Sequence, residues 1–163
     1  MICHVKSKGV YAVSCTIKDI RILAMLLSHA KSHYEVNAPE YNALKTSVNL
    51  LRKAKEDNTS GNKILSDPSE NAFIESVSKE GSTFVITMKK KPLRTFVPMI
   101  NRAVNGFGLW EWEFQTITGY HRHEMRNVFN QLHLCAVMTD ADMSDEFDLY
   151  EACEARPNSD DLS

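Results

Sequence analysis

Hydrophobic residues recur along this chain at two spacings, every second residue and every third or fourth, and the switches between them mark out its elements. Residues 2–7 and 9–15 read as two short strands around Ser7-Lys8-Gly9, where Gly9 supplies the positive φ of a tight hairpin. Apolar side chains stand on both faces of the second strand, so neither face is fully solvated. Thr16 then has the features of a helix N-cap, with Asp19 three residues on to complete a capping box. Ile17, Ile20, Leu23, Leu27 and Tyr34 form a helical stripe, which Ile22, Met25 and Leu26 widen until little polar face remains. This predicts a helix central to the core. Asn37-Ala38-Pro39-Glu40 starts a second helix with a narrower stripe of Tyr41, Leu44, Val48 and Leu51, leaving Lys45, Arg52, Lys53 and Lys55 largely off it. The short link makes the two helices expected antiparallel neighbours.

Residues 57–71 are dense in turn formers and read as a loop. The clearest hairpin follows, 72–79 and 83–89 around Glu80-Gly81, with Phe84, Ile86 and Met88 on one face. Lys89-Lys90-Lys91-Pro92 ends that strand. A helix is predicted from about Val97 to Asn105, with Pro98 in its first turn and Asn105-Gly106 as its stop. Leu109 to Ile117 alternates strictly, which predicts a strand whose core face holds Trp110, Trp112, Phe114 and Thr116. Thr118 or Gly119 opens the last helix, striped by Met125, Val128, Phe129, Leu132 and Ala136.

The expected order is therefore ββααββαβα. It corresponds to an α+β fold in which a mixed or antiparallel sheet of about five strands, two hairpins plus one strand, packs against about four helices. The expected domain spans residues 1–139. Residues 140–163 form an acidic, partly disordered tail with room for one short helix.

Charge sharpens that division. The whole chain carries a net charge of -2. Residues 1–139 hold 18 Lys and Arg against 12 Asp and Glu, whereas residues 140–163 hold one Arg against nine acids. A net-basic body thus precedes an acidic tail. Phe147, Leu149 and Tyr150 interrupt the acids and give the tail the composition of a docking segment. No apolar run approaches the ~20 residues that span a bilayer, and the first residues lack the pattern of a secretory signal, so a cytoplasmic location, in the cell or a host cell, is expected. Four scattered cysteines, Cys3, Cys15, Cys135 and Cys153, are expected as reduced thiols.

No residue pattern specifies a reaction. There is no phosphate-binding glycine loop, no nucleophile elbow and no cofactor motif, and no cofactor is expected. His29 and His33, four apart on a predicted helix, are the candidate metal ligands, without the Glu of a metalloprotease motif. Cys3-His4 with His133 and Cys135 is a second ligand set, if the first strand meets the last helix. His121 and His123 flank Arg122 at a helix start and offer proton transfer beside a cation, alone or with Lys89-Lys91, for a small nuclease or hydrolase. Lys89, Lys90, Lys91, Arg94, Arg102, Arg122 and Arg126 are candidate phosphate contacts, and an open aromatic strand face would add stacking. The expectation that covers most of the chain is a small non-enzymatic binding or regulatory protein that modulates a macromolecular partner. A protein partner is favoured slightly over nucleic acid. Accessory proteins of viruses and mobile elements acting on a host factor belong to this class. The alternatives are the nuclease and a nucleic-acid binder whose acidic tail is autoinhibitory.

Overall fold

Two glycines with left-handed backbone build the two hairpins. Gly9, with φ of 75°, turns β1 (Ile2–Ser7) into β2 (Val10–Cys15). Gly81, with φ of 63°, turns β4 (Ile74–Glu80) into β5 (Thr83–Lys89). Both conformations strain any residue with a Cβ. These elements are seen in a computed structural model that describes residues 1–56, 65–66, 72–105, 111–138 and 147–154.

The strands form one antiparallel sheet in the order β3-β4-β5-β2-β1-β6. Register aligns Cys3, Val13, Ile86 and Val77 in one buried row, with Tyr11 and Met88 paired beside it. Helices α1 (Ile17–Lys31), α2 (Pro39–Glu56) and α3 (Lys90–Asn105) pack on the sheet. The α+β expectation holds, with two strands of two residues added at the sheet's edges. One is β3 (Leu65–Ser66); the rest of the loop expected at 57–71 lies outside the described residues. The other is β6 (Phe147–Asp148), paired with Ile2 and Cys3 of β1.

Local chemistry explains the helix starts. Thr16 accepts from the Asp19 amide at 3.2 Å, and the Asp19 carboxylate accepts from the Thr16 amide at 3.0 Å, so the expected capping box forms. Pro39 occupies the first position of α2, where its missing N–H has no helical partner. Ser47 joins α2 to β4: its hydroxyl donates to Ala43 O and accepts from the Ile74 amide.

Three boundaries differ from the sequence reading. α3 begins at Lys90 rather than near Val97, so Pro92 sits in its first turn and Pro98 inside it. Pro98 is tolerated because it and Arg94, the residue whose carbonyl lacks its amide partner, are both on the exposed side of the helix. Leu93, Phe96, Ile100, Ala103 and Val104 form the buried stripe that carries the helix back to Lys90. The stretch expected as a strand is α4 (Glu111–Thr118). Trp112 is 67% exposed and Phe114 is buried, so the alternating side chains do not share a core face; Trp110 lies outside the described residues. Gly119 closes α4 with φ of 78° instead of opening the next helix, its amide bonded to Gln115 O at 2.7 Å. The last long helix, α5 (Arg122–Val137), starts after His121.

Residues 147–154 pack into the body. α6 (Leu149–Glu154) follows β6 directly and lies against α5, with Leu149 fully buried and its amide bonded to Met1 O at 3.0 Å. The Met1 ammonium donates to Gln131 Oε1 of α5 at 2.7 Å, which closes the same corner. Among the described residues, no helix is long and apolar enough to cross a membrane.

Candidate functional site

The core stripe of α1 leaves its other side to line a cleft. Arg21, Met25, Ser28, His29 and Ser32 recur at helical spacing along that side. Arg52 and Lys55 face them from the last turns of α2, and Thr118 and Tyr120 close the end from the junction of α4 and α5. This lobe encloses about 570 Å³ and, among the described residues, no Asp or Glu lines it. Its charged groups are all cations, so its potential favours an anion.

A second lobe of about 320 Å³ adjoins the first, with Met25, His29 and Thr118 lining both. Ala103, Phe114, Ile117 and Met125 complete its walls. Phe114 and Met125 are buried and form the floor, whereas Ile117 is 71% exposed and stands at the rim. Two methionines give an apolar wall that adapts to the shape of what enters. The cleft is thus cationic at one end and apolar at the other, with His29 between.

The structure redistributes the residues singled out by sequence. Lys90 donates to the carbonyl of Met138, and Arg94 donates to that of Ala136 at 2.6 Å. Both therefore satisfy carbonyls at the C-terminal end of α5, where the helix dipole favours cations. Lys89 pairs with Glu75 at 3.7 Å, and Lys91 lies with Lys8 and Lys89 in a separate groove of about 530 Å³ that also contains Glu40. Arg126 donates to Asn105 at 3.0 Å, at the far end of α3 and beside the exposed Arg102. The seven cations thus fall at opposite ends of the α3–α5 pair and do not form one basic edge.

His121, Arg122 and His123 do come together, at the N-terminus of α5. Sixteen residues of helix place them about 24 Å from Lys90, so the Lys89-Lys91 version of the nuclease site does not assemble. The His121 and His123 rings stack 5.3 Å apart. His121 Nδ1 lies 3.5 Å from Glu111 Oε1, and its Nε2 lies 3.2 Å from Gln115 Nε2. Both ring nitrogens thus face side chains of α4. The Arg122 amide donates to Glu111 Oε1 at 2.9 Å, which together with the guanidinium holds that carboxyl below its ordinary pKa. The guanidinium also stands over the Phe114 ring at 4.5 Å. Lys18 pairs with Glu124, whose carboxyl is held low first by that ammonium and then by the His121 amide it accepts from. This network ties α4 to the start of α5 and fixes the floor of the apolar lobe.

The first strand does meet the last helix, with a different outcome from the proposed ligand set. Cys3 and Cys135 are both buried and hydrogen bond to each other. Alternation along β1 sends His4 to the opposite face, and His133 is exposed and stacked on Phe129. Among the described residues, no group of three His, Cys, Asp or Glu is placed to hold a metal ion. His29 and His33 do converge: their Nε2 atoms are 3.1 Å apart. Burial, with His33 alongside, holds His29 below the ordinary histidine pKa. Phe147 packs on the core beside Leu149, while Tyr150 faces solvent.

Comparison with known family models, with curated proteins and with solved structures gives no match. The cleft residues were missed by sequence reading because they lie on five helices. Their local signals were scattered: His29, the cations off the α2 stripe, the methionine that widened α1 and single apolar positions on later elements.

Proposed function

We propose that this chain is a non-enzymatic regulatory protein that docks a segment of a partner protein in the cleft among α1, α2 and α4. The preferred segment carries acidic residues next to one bulky apolar side chain. The observation that carries this reading is the adjoining pair of lobes, which share Met25, His29 and Thr118. Arg21, Arg52 and Lys55 receive carboxylates, and the lobe walled by Met25, Phe114, Ile117 and Met125 receives the apolar group. A protein segment fits this better than nucleic acid for two reasons. Phe114 is buried beneath Arg122, so it is not open as a stacking partner for the exposed Trp112. The cationic residues named from sequence also serve as helix caps and ion-pair partners.

The chain's own acid-flanked apolar segment has the same chemistry but a different seat, since Leu149 is buried against α5 and β1. The reading assigns the cleft to a segment of a separate protein.

Fluorescence anisotropy with labelled peptides tests the proposal. Peptides with acidic residues around a single Leu or Phe are expected to bind, and the same peptides with Ala in that place to bind weakly. The Arg52→Glu/Lys55→Glu variant is expected to weaken binding by at least about tenfold, roughly 1.4 kcal/mol. Ile117→Asp, at an exposed rim position, is expected to do the same without disturbing the fold. Binding that is indifferent to all three changes would reject the cleft. Salt-sensitive binding of an oligonucleotide, lost in Arg52→Glu/Lys55→Glu while peptides fail, would replace the partner class with nucleic acid.

A further inference from the structure

We propose that His29 and His33 form a two-imidazole site for a divalent transition-metal ion of the copper–nickel–zinc class. The inference stands apart from the docking reading, because it concerns the isolated chain. His29 lies in the last turn of α1, and His33 follows two residues beyond the helix end, in a turn closed by its amide to Ala30 O at 3.2 Å. Their Nε2 atoms approach to 3.1 Å with the ring planes 75° apart, so both nitrogens converge on one region of space. An ion about 2.1 Å from each nitrogen would see them at roughly 95°. That is the angle between neighbouring positions of a square-planar or octahedral shell, and it falls below the tetrahedral angle. Copper and nickel are therefore favoured over zinc, in keeping with the general affinity order for nitrogen sites.

Two further features support a cation there. His29 is in the last turn of α1 and His33 just beyond it, where the helix dipole favours positive charge. Lys31, the nearest like charge in sequence, is drawn off over the Tyr41 ring at 5.5 Å. With their protons on Nδ1, both rings present Nε2 lone pairs to the ion. His29 also lines both lobes of the cleft, near Arg21, Arg52 and Lys55, whereas His33 lines neither, which puts the ion on the His33 side of His29 rather than among those cations. Water or an incoming carboxylate fills its remaining positions.

Calorimetric titration of the full chain with Cu²⁺, Ni²⁺ and Zn²⁺, thiols reduced and near neutral pH, tests the site. One ion per chain is expected, with copper and nickel tighter than zinc. His33→Ala is expected to weaken nickel binding by at least roughly tenfold, since loss of a ligand costs no less than loss of its supporting partner. His33 is exposed, so its removal leaves the core intact, and circular dichroism checks this. His29→Gln is expected to repeat the loss, and His121→Ala/His123→Ala to leave binding unchanged. No saturable binding in the parent chain, or binding that His33→Ala leaves unaltered, overturns the proposal. Loss in His121→Ala/His123→Ala would move the ion to that pair, and zinc as the tightest ion would overturn the geometric argument.

Discussion

Burial decides what several titratable side chains contribute, and pH is the direct way to observe it. Cys15 is pushed up to about 12, first by burial and then by Asp19. Burial raises Tyr34 as well, and Cys135 is raised chiefly by its bond to Cys3. A raised acid is more easily ionised in the unfolded chain. The stability it contributes is therefore complete below the unfolded thiol value near 9 and is lost as pH rises toward 12. Urea unfolding at increasing alkaline pH is expected to show a falling midpoint, with a shallower fall in Cys15→Ala. An unchanged slope would exclude Cys15 as a source. His29 works in the opposite direction. Its folded pKa is depressed, so its contribution is present above the ordinary histidine value and declines as pH falls below it. His29→Gln is expected to flatten the acid side of the same curve.

At the scale of elements, α5 is held at both ends by side chains from elsewhere. Lys90 and Arg94 of α3 take its last carbonyls, and Glu124, tied to Lys18 of α1, accepts from the His121 amide at its start. The Lys90→Ala/Arg94→Ala variant is expected to lower unfolding free energy by about 1 kcal/mol, read by chemical denaturation. No loss would show that solvent serves those carbonyls equally well. The two hairpins and the starts of α1 and α2 were legible in sequence, because a turn glycine, a capping box and an N-terminal proline act within four residues. α4 was not. An alternating stretch specifies a strand only when a sheet buries its alternate side chains, and here Phe114 is buried while Trp112 is exposed. Likewise the start of α3 was read from Pro98, although the buried stripe from Leu93 outweighs the one bond that proline removes.

For the whole molecule, the basic body and acidic tail are less separate than charge suggests. Phe147 and Asp148 add a strand to the sheet and Leu149 enters the core. Leu149→Ala is expected to cost about 2–4 kcal/mol, read as a lower urea midpoint. An unchanged midpoint would mean that the segment does not seal the β1–α5 corner. The sequence by itself determined the α+β class, both hairpins, the central place of α1 and the charge asymmetry, since each follows from short-range periodicity or composition. Only tertiary structure decided the rest. It joined Met1 to Gln131, set the seven chosen cations at opposite ends of the α3–α5 pair, and gathered the cleft from five helices. Such contacts arise from closing long loops around a shared core, and no local spacing encodes which distant side chains that closure brings face to face.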